Sequence, residues 1–107
     1  VRVPVFIGHS EAVTVEFEKP MDEAKTREIL EKAYGVIVMD DIANKVYPTP
    51  TFTAGKDPVY VGRIRKDLAF DNAISMFVVA DNLRIGAALN TVRIAEKLVE
   101  MKLVRNS

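Results

Sequence analysis

The residues that can do chemistry gather at the front of the chain, in Val-Arg-Val-Pro-Val-Phe-Ile-Gly-His-Ser at 1–10. His9 is the only histidine. Histidine is the side chain whose ordinary pKa lets it take and return a proton near neutral pH. Arg2 stands seven positions before it. A guanidinium holds a carboxylate or phosphate through a two-pronged hydrogen bond. The pair therefore has the parts of a proton-transfer site with an anion clamp. Taken alone, each residue also has a plainer reading. A lone histidine can serve the fold by hydrogen-bonding a carbonyl, and an arginine can be a surface ion-pair partner. Gly8 permits a bend just before His9, and a bend at a strand end is where a scaffold presents a group to a ligand. Ser10 is adjacent, but neighbours in a strand point to opposite faces, so a local serine–histidine pair is not expected.

Three further clusters carry polar chemistry. Arg63, Arg65 and Lys66 form a small basic group, read either as solvated or interfacial charge paired with acids such as Asp57 or Asp67, or as a phosphate site. Asp81-Asn82 reads either as a helix cap with a polar neighbour or as amide groups that orient a ligand. Gly86-Ala87-Ala88 lies inside a helical pattern, so it is no dinucleotide-binding fingerprint, although it allows close approach of a backbone or ligand.

The elements that must position these groups follow from periodicity. Val3–Ile7 is an apolar run broken by Pro4, which lacks an amide donor, so it reads as an edge strand or strand entry. Ala12–Glu18 alternates, with Val13, Val15 and Phe17 on one side and Thr14, Glu16 and Glu18 on the other, as in a half-buried strand. Asp22 is placed to cap a helix running to Tyr34, with Ala24, Ile29, Leu30, Ala33 and Tyr34 as its apolar side and Gly35 just past its end. Val36–Met39 is a short apolar strand, and strand, helix and strand in this order suggest a crossover. Residues 40–58, rich in proline and threonine, read as a long loop, either a solvated excursion or an interface arm. Val59–Arg65 alternates again, grouping Val59, Val61, Arg63 and Arg65 against Tyr60, Gly62 and Ile64. Asp71-Asn72 marks a turn, and Ile74–Ala80, apolar on both faces save Ser75, reads as a central strand.

Asp81 then opens a long helix. Leu83, Ala87, Asn90, Ile94, Leu98 and Met101 make one stripe, and Ala88, Val92, Ala95 and Val99 a second. A helix apolar on more than one side is expected to pack on something outside this chain. The expected fold is α+β: a mostly antiparallel sheet of about four strands with helices on one face, plus this C-terminal helix.

Composition narrows the function. The chain of 107 residues suffices for one small domain. Its fifteen basic and fifteen acidic residues cancel, which argues against a nucleic-acid binder. With no cysteine, it has no disulfide, thiolate metal site or cysteine nucleophile of its own, a pattern that fits a reducing cytoplasm. One histidine and no cysteine leave zinc nothing but carboxylates, so no metal site is expected. No apolar run reaches the roughly 18 residues of a membrane span. Position 1 is not methionine, and the chain reads as a piece of something larger.

Arg-Val-Pro-Val-x-x-Gly-His-Ser at 2–10 resembles the histidine motif of the aspartate-semialdehyde dehydrogenases. Val-Gly-Arg-Ile-Arg-Lys-Asp at 61–67 resembles a second segment of that family, and Asp-Asn-Leu-Arg-x-Gly-Ala-Ala-Leu-Asn-Thr at 81–91 its C-terminal helix motif. The three stand in family order and cover the chain from end to end. The resemblance implies an NADPH-dependent hydride transfer that reduces aspartyl phosphate to aspartate semialdehyde and phosphate, on the route to lysine, threonine, methionine and isoleucine. It implies that His9 is the acid/base group, that Arg2 binds the substrate carboxylate, and that Asn82 lies near the nicotinamide of NADP(H). It also implies a dimerisation and substrate portion over 1–80. Residues 81–107 would be a helix that packs on an N-terminal NADP-binding Rossmann domain, the part that would carry the nucleophilic cysteine, in a homodimer or homotetramer. A related acyl-phosphate reductase, such as N-acetyl-gamma-glutamyl-phosphate reductase, and a non-catalytic dimerisation or binding module stay open beside it.

Overall fold

The computed structural model describes residues 2–104; positions 1 and 105–107 of the two expected segments lie outside these described residues. Strand β1, His9–Glu16, follows the expected alternation, with Val13 and Val15 half-buried and Thr14 and Glu16 exposed. It starts three residues earlier than the alternation indicated, because it pairs antiparallel with β4, Ala73–Ala80, from His9↔Ala80 to Glu16↔Ala73. The apolar run before it forms no strand of its own. Pro4 offers no amide to a ladder, and Gly8 turns the chain at φ 102°, so Val3–Ile7 is an entry arm.

Helix α1, Glu23–Lys32, begins where Asp22 accepts the Lys25 amide at 2.7 Å, and the chain leaves it through Gly35 at φ 76°. Its inward side differs from the expected one. Thr26 is buried and Leu30 packs on the core, whereas Ile29 and Tyr34 are exposed. Strand β2, Val36–Val38, follows and pairs parallel with β3, Val59–Lys66. The sheet order is β1-β4-β3-β2. β1 and β2 are thus joined through α1 and lie on opposite edges, with β4 running against the other strands. Val61, Ile64 and Ile74 are the buried centre of the core, and Leu30 and Phe17 pack against them.

Ile64 reaches that core only because β3 is irregular. Gly62 pairs with Phe77 but Arg65 pairs with Ser75, so the strand carries an extra residue, and Arg63 takes φ 56°. A bulge of this kind reverses the alternation beyond it. The sequence pattern placed Ile64 with Tyr60; the bulge moves it to the side of Val61. Asp40 holds the bulge. Its side chain is fully buried and accepts the Arg63 amide at 2.8 Å and the Ile64 amide at 2.9 Å. Arg27 of α1 donates to it at 2.5 Å. One carboxylate therefore joins helix, loop and strand.

Residues 40–58 are more ordered than a loop reading implied. Asp41 and Val46 exchange backbone hydrogen bonds in a tight turn. Thr49 then caps a short helix α2, Pro50–Thr53, whose first turn tolerates proline. Phe52 meets Tyr60 edge-on at 5.4 Å. Tyr60 points away from its core neighbour Val61, so α2 covers the sheet face opposite α1.

After β4 the chain enters a π-helical turn, Arg84–Ala88, and helix α3, Leu89–Glu100. No residue of α3 is buried. Val92, Ile94, Leu98 and Val99 of the two expected stripes are exposed. Arg93 stacks over the Tyr34 ring at 5.1 Å and ties α3 to the end of α1. Among the described residues no helix is long and apolar enough to cross a membrane.

Removing the Asp40 carboxylate strands the half-buried Arg27 guanidinium and two amides at once. Asp40→Ala is expected to cost about 3–5 kcal/mol, read as a lowered urea midpoint, while substitution of the exposed Glu31 leaves the midpoint within error.

Candidate functional site

The pairing of His9 with Ala80 sets the start of β1 beside the end of β4, and the two residues after β4 are Asp81 and Asn82. Here the helix cover of the sheet gives out and a cleft of about 430 Å³ opens. His9 and Glu11 line it from β1, Ala80 from β4 and Val59 from β3; Asn82, Ile85 and Gly86 close it. The Gly8 amide donates to Asn82 Oδ1 at 3.2 Å. That bond fixes the amide with its oxygen toward Gly8 and leaves the Asn82 amide nitrogen as the donor a ligand can meet.

Asp81 fixes this corner from beneath. It is buried and accepts the Gly55 amide at 2.8 Å through one oxygen and the Leu83 amide at 2.9 Å through the other. The Gly55 hydrogen bond first, and then that from Leu83, hold its carboxyl below the usual carboxylate range. Arg84 pairs with Asp57 on the same loop. The cap reading does not hold: the helical segment begins after Leu83 with no side-chain cap, so Asp81 instead ties down the turn that precedes it, while the asparagine lines the cleft.

Arg2 does not enter this cleft. It lines an adjoining hollow of about 190 Å³ with Val3, Val5, Gly8, His9 and Ser10. His9 is the shared wall of the two spaces. The Ser10 hydroxyl oxygen is buried there without a hydrogen-bond partner among the described residues, and it makes no pair with His9. The structure therefore brings His9 and Asn82 together and leaves Arg2 next door.

Glu11 is the cleft residue that sequence reasoning missed. Its Oε1 lies 2.9 Å from His9 Nε2. The alternation read from the sequence begins only at Ala12; because β1 in fact begins at His9, residues 9 and 11 share a strand face.

The basic cluster behaves differently from its expected pairing. Arg65 donates to the Arg63 carbonyl at 2.7 Å. Asp57 is taken by Arg84, and Asp67 accepts the Ser75 hydroxyl at 2.5 Å and the Thr14 hydroxyl at 3.4 Å. Arg65, Lys66 and Asp67 do line a larger hollow of about 520 Å³ at the other end of the sheet. It contains no histidine, and the Asp67 carboxylate there is already satisfied. The Ser75 hydroxyl, followed by the Ala69 amide, holds that carboxyl below its usual range. No group of three or more potential metal ligands is found among the described residues.

The family model for the semialdehyde dehydrogenase dimerisation domain matches residues 1–85. The chain belongs to that family. Aspartate-semialdehyde dehydrogenase of Aquifex aeolicus is 53% identical over 104 residues, covering 97% of this chain and 31% of the relative. The enzyme of that name from Campylobacter jejuni is 52% identical over 102 residues, covering 95% of this chain and 30% of its own length. Among solved structures of the semialdehyde dehydrogenases, aspartate semialdehyde dehydrogenase II from Vibrio cholerae, complexed with ASA, superposes with a TM-score of 0.84 at 45% identity. It covers 92% of this chain and 29% of that one. The Francisella tularensis enzyme gives 0.79 at 28% identity, covering 91% and 28%. The chain thus spans about 30% of the length of the curated relatives it matches.

Asp81 and Asp67 both have depressed folded-state pKa values, so the unfolded chain binds protons first as pH falls. Their contribution is complete above the ordinary carboxylate pKa of about 4 and is lost as pH falls through the lower folded values. The urea midpoint is expected to be flat with respect to these groups from pH 7 to about 5 and to fall below about 4. Asp81→Asn should lower the neutral midpoint and make that fall shallower.

Proposed function

We propose that this chain is part of an NADPH-dependent aspartate-semialdehyde dehydrogenase, which converts L-4-aspartyl phosphate to L-aspartate 4-semialdehyde and phosphate in the biosynthesis of lysine, threonine, methionine and isoleucine. In this reading the chain supplies the acid/base histidine and the arginine that holds the substrate. The observation that carries it is the meeting of His9 and Asn82, 73 residues apart in sequence, on one cleft joined by the Gly8 amide. The near-half identity to enzymes of that name supports the substrate class.

The chain has no cysteine, so the thiolate would come from an N-terminal NADP-binding portion of the same enzyme. His9 accepts the thiol proton, which leaves sulfur free to attack the acyl carbon as phosphate departs. Once hydride has reached that carbon, the carbon–sulfur bond breaks to free the aldehyde, and His9 returns the proton to the departing sulfur. Arg2, on the other side of His9, grips the substrate carboxylate with its planar fork and so orients the acyl carbon. The cleft suits a nicotinamide: Val59, Ala80 and Ile85 offer apolar walls, Gly86 offers room, and the Asn82 amide N–H can donate to a carboxamide oxygen. When bound, NADPH supplies the hydride. Residues 1–80 would form the dimerisation and substrate portion of a cytoplasmic homodimer or homotetramer. The segment from 81 would pack its exposed α3 stripes on the NADP-binding portion.

The 107-residue chain alone is expected to show no turnover with aspartyl phosphate and NADPH. In the whole enzyme, His9→Asn should lower kcat by roughly 10²–10⁴-fold with KM little changed, whereas Arg2→Ala should act mainly by raising KM. NADP-dependent turnover by the chain alone, or an equal preference for acetylglutamyl phosphate in the whole enzyme, would contradict the proposal.

A further inference from the structure

We propose that Glu11 is a positioning residue for His9: its carboxylate holds the Nε2–H of the imidazole and leaves Nδ1 as the nitrogen that exchanges the proton. This rests on the reading of His9 as the acid/base group.

Three observations support it. His9 and Glu11 are two apart on β1 and face the same cleft, opposite Ala80 and Val78 of β4. Glu11 Oε1 lies 2.9 Å from Nε2. An ionised carboxylate can only accept, so the nitrogen it touches must carry the hydrogen, and the tautomer follows. Finally, Glu11 has no lysine or arginine partner among the described residues. An unpaired negative charge in a cleft beside an anion clamp would repel an acyl phosphate. Held against the imidazole, it instead stabilises the imidazolium that forms when the thiol loses its proton.

A role in stability does not explain the pair. The His9 and Glu11 side chains are 65% and 56% exposed, and ion pairs this exposed contribute little to folding. The other titratable group facing His9 is Arg2, from the entry arm. The residues that face it from β3, β4 and the π-helical turn are uncharged, as is Asn82.

The test is the pH profile of kcat/KM for the whole enzyme with Glu11→Ala and Glu11→Gln, beside His9→Asn. Glu11→Ala is expected to lower kcat/KM about tenfold, chiefly through kcat, and to move the acidic limb to lower pH, because the imidazolium loses its neighbouring charge. Glu11→Gln keeps an acceptor oxygen for Nε2–H, so it should recover most of the rate while the limb stays displaced. In the 107-residue chain, where His9 is the sole histidine, the ring ¹⁵N shifts should report the Nε2–H tautomer and lose that preference in Glu11→Ala. A Glu11→Ala enzyme within twofold of wild type, with an unmoved limb and an inactive His9→Asn, overturns the role of Glu11 and leaves that of His9 standing. A fully active His9→Asn overturns both.

Discussion

The antiparallel ladder between β1 and β4 is what the site depends on. It sets His9 against Ala80, so that the first residue of one strand and the last of the other meet at the same end of the sheet. Within two residues of that pair lie the Gly8 turn before β1, Glu11 further along it, and Asp81-Asn82 after β4; of the candidate residues only Arg2 comes from further away. A slip of one residue would send His9 to the opposite sheet face. The pairing is held by burial at its far end, where Ile74 and Val15 lie on the core side, and by the Gly8–Asn82 hydrogen bond at its near end.

The same logic of buried polar groups repeats at two places. Asp40 satisfies the two amides that the β3 bulge releases and is itself paired by Arg27. Asp81 satisfies the amides of Gly55 and Leu83. Each carboxylate joins segments far apart in sequence, and each costs burial that is offset only because its acceptors are filled. The first permits Ile64 to complete the core. The second aligns the loop before β3 with the turn after β4, so that Asn82 meets the cleft from a fixed direction.

Local signals were legible where the physics is local. The alternation of β1, the Asp22 cap, Gly35 past α1 and the apolar run of β4 all stood in the sequence as they do in the fold. Events that depend on distant partners were not. The face of Ile64 depends on a bulge whose stabilising acid lies more than twenty residues earlier. Of the expected stripe Leu30 faces the core, but Thr26 joins it and Ile29 and Tyr34 do not, because the sheet selects the helix stripe and α1 is too polar for its periodicity to decide. Residues 40–58 looked irregular because a tight turn and a one-turn helix leave no period to read. At the site, Arg2, His9 and Asn82 were visible by type and motif. Their distribution over two adjoining hollows, and the presence of Glu11, needed coordinates.

His9 lines both hollows at this end of the sheet, and the proposed enzyme needs it between the substrate carboxylate and the nicotinamide. The most direct measurement is a crystal structure of the whole enzyme with bound NADP and an unreactive aspartyl analogue. The His9 ring is expected to contact the analogue at its reacting carbon, Arg2 to hold the analogue's carboxylate, and Asn82 to hydrogen-bond the nicotinamide carboxamide. Ligands seated away from this end of the sheet, with His9 facing solvent or a subunit contact, would contradict the role of His9.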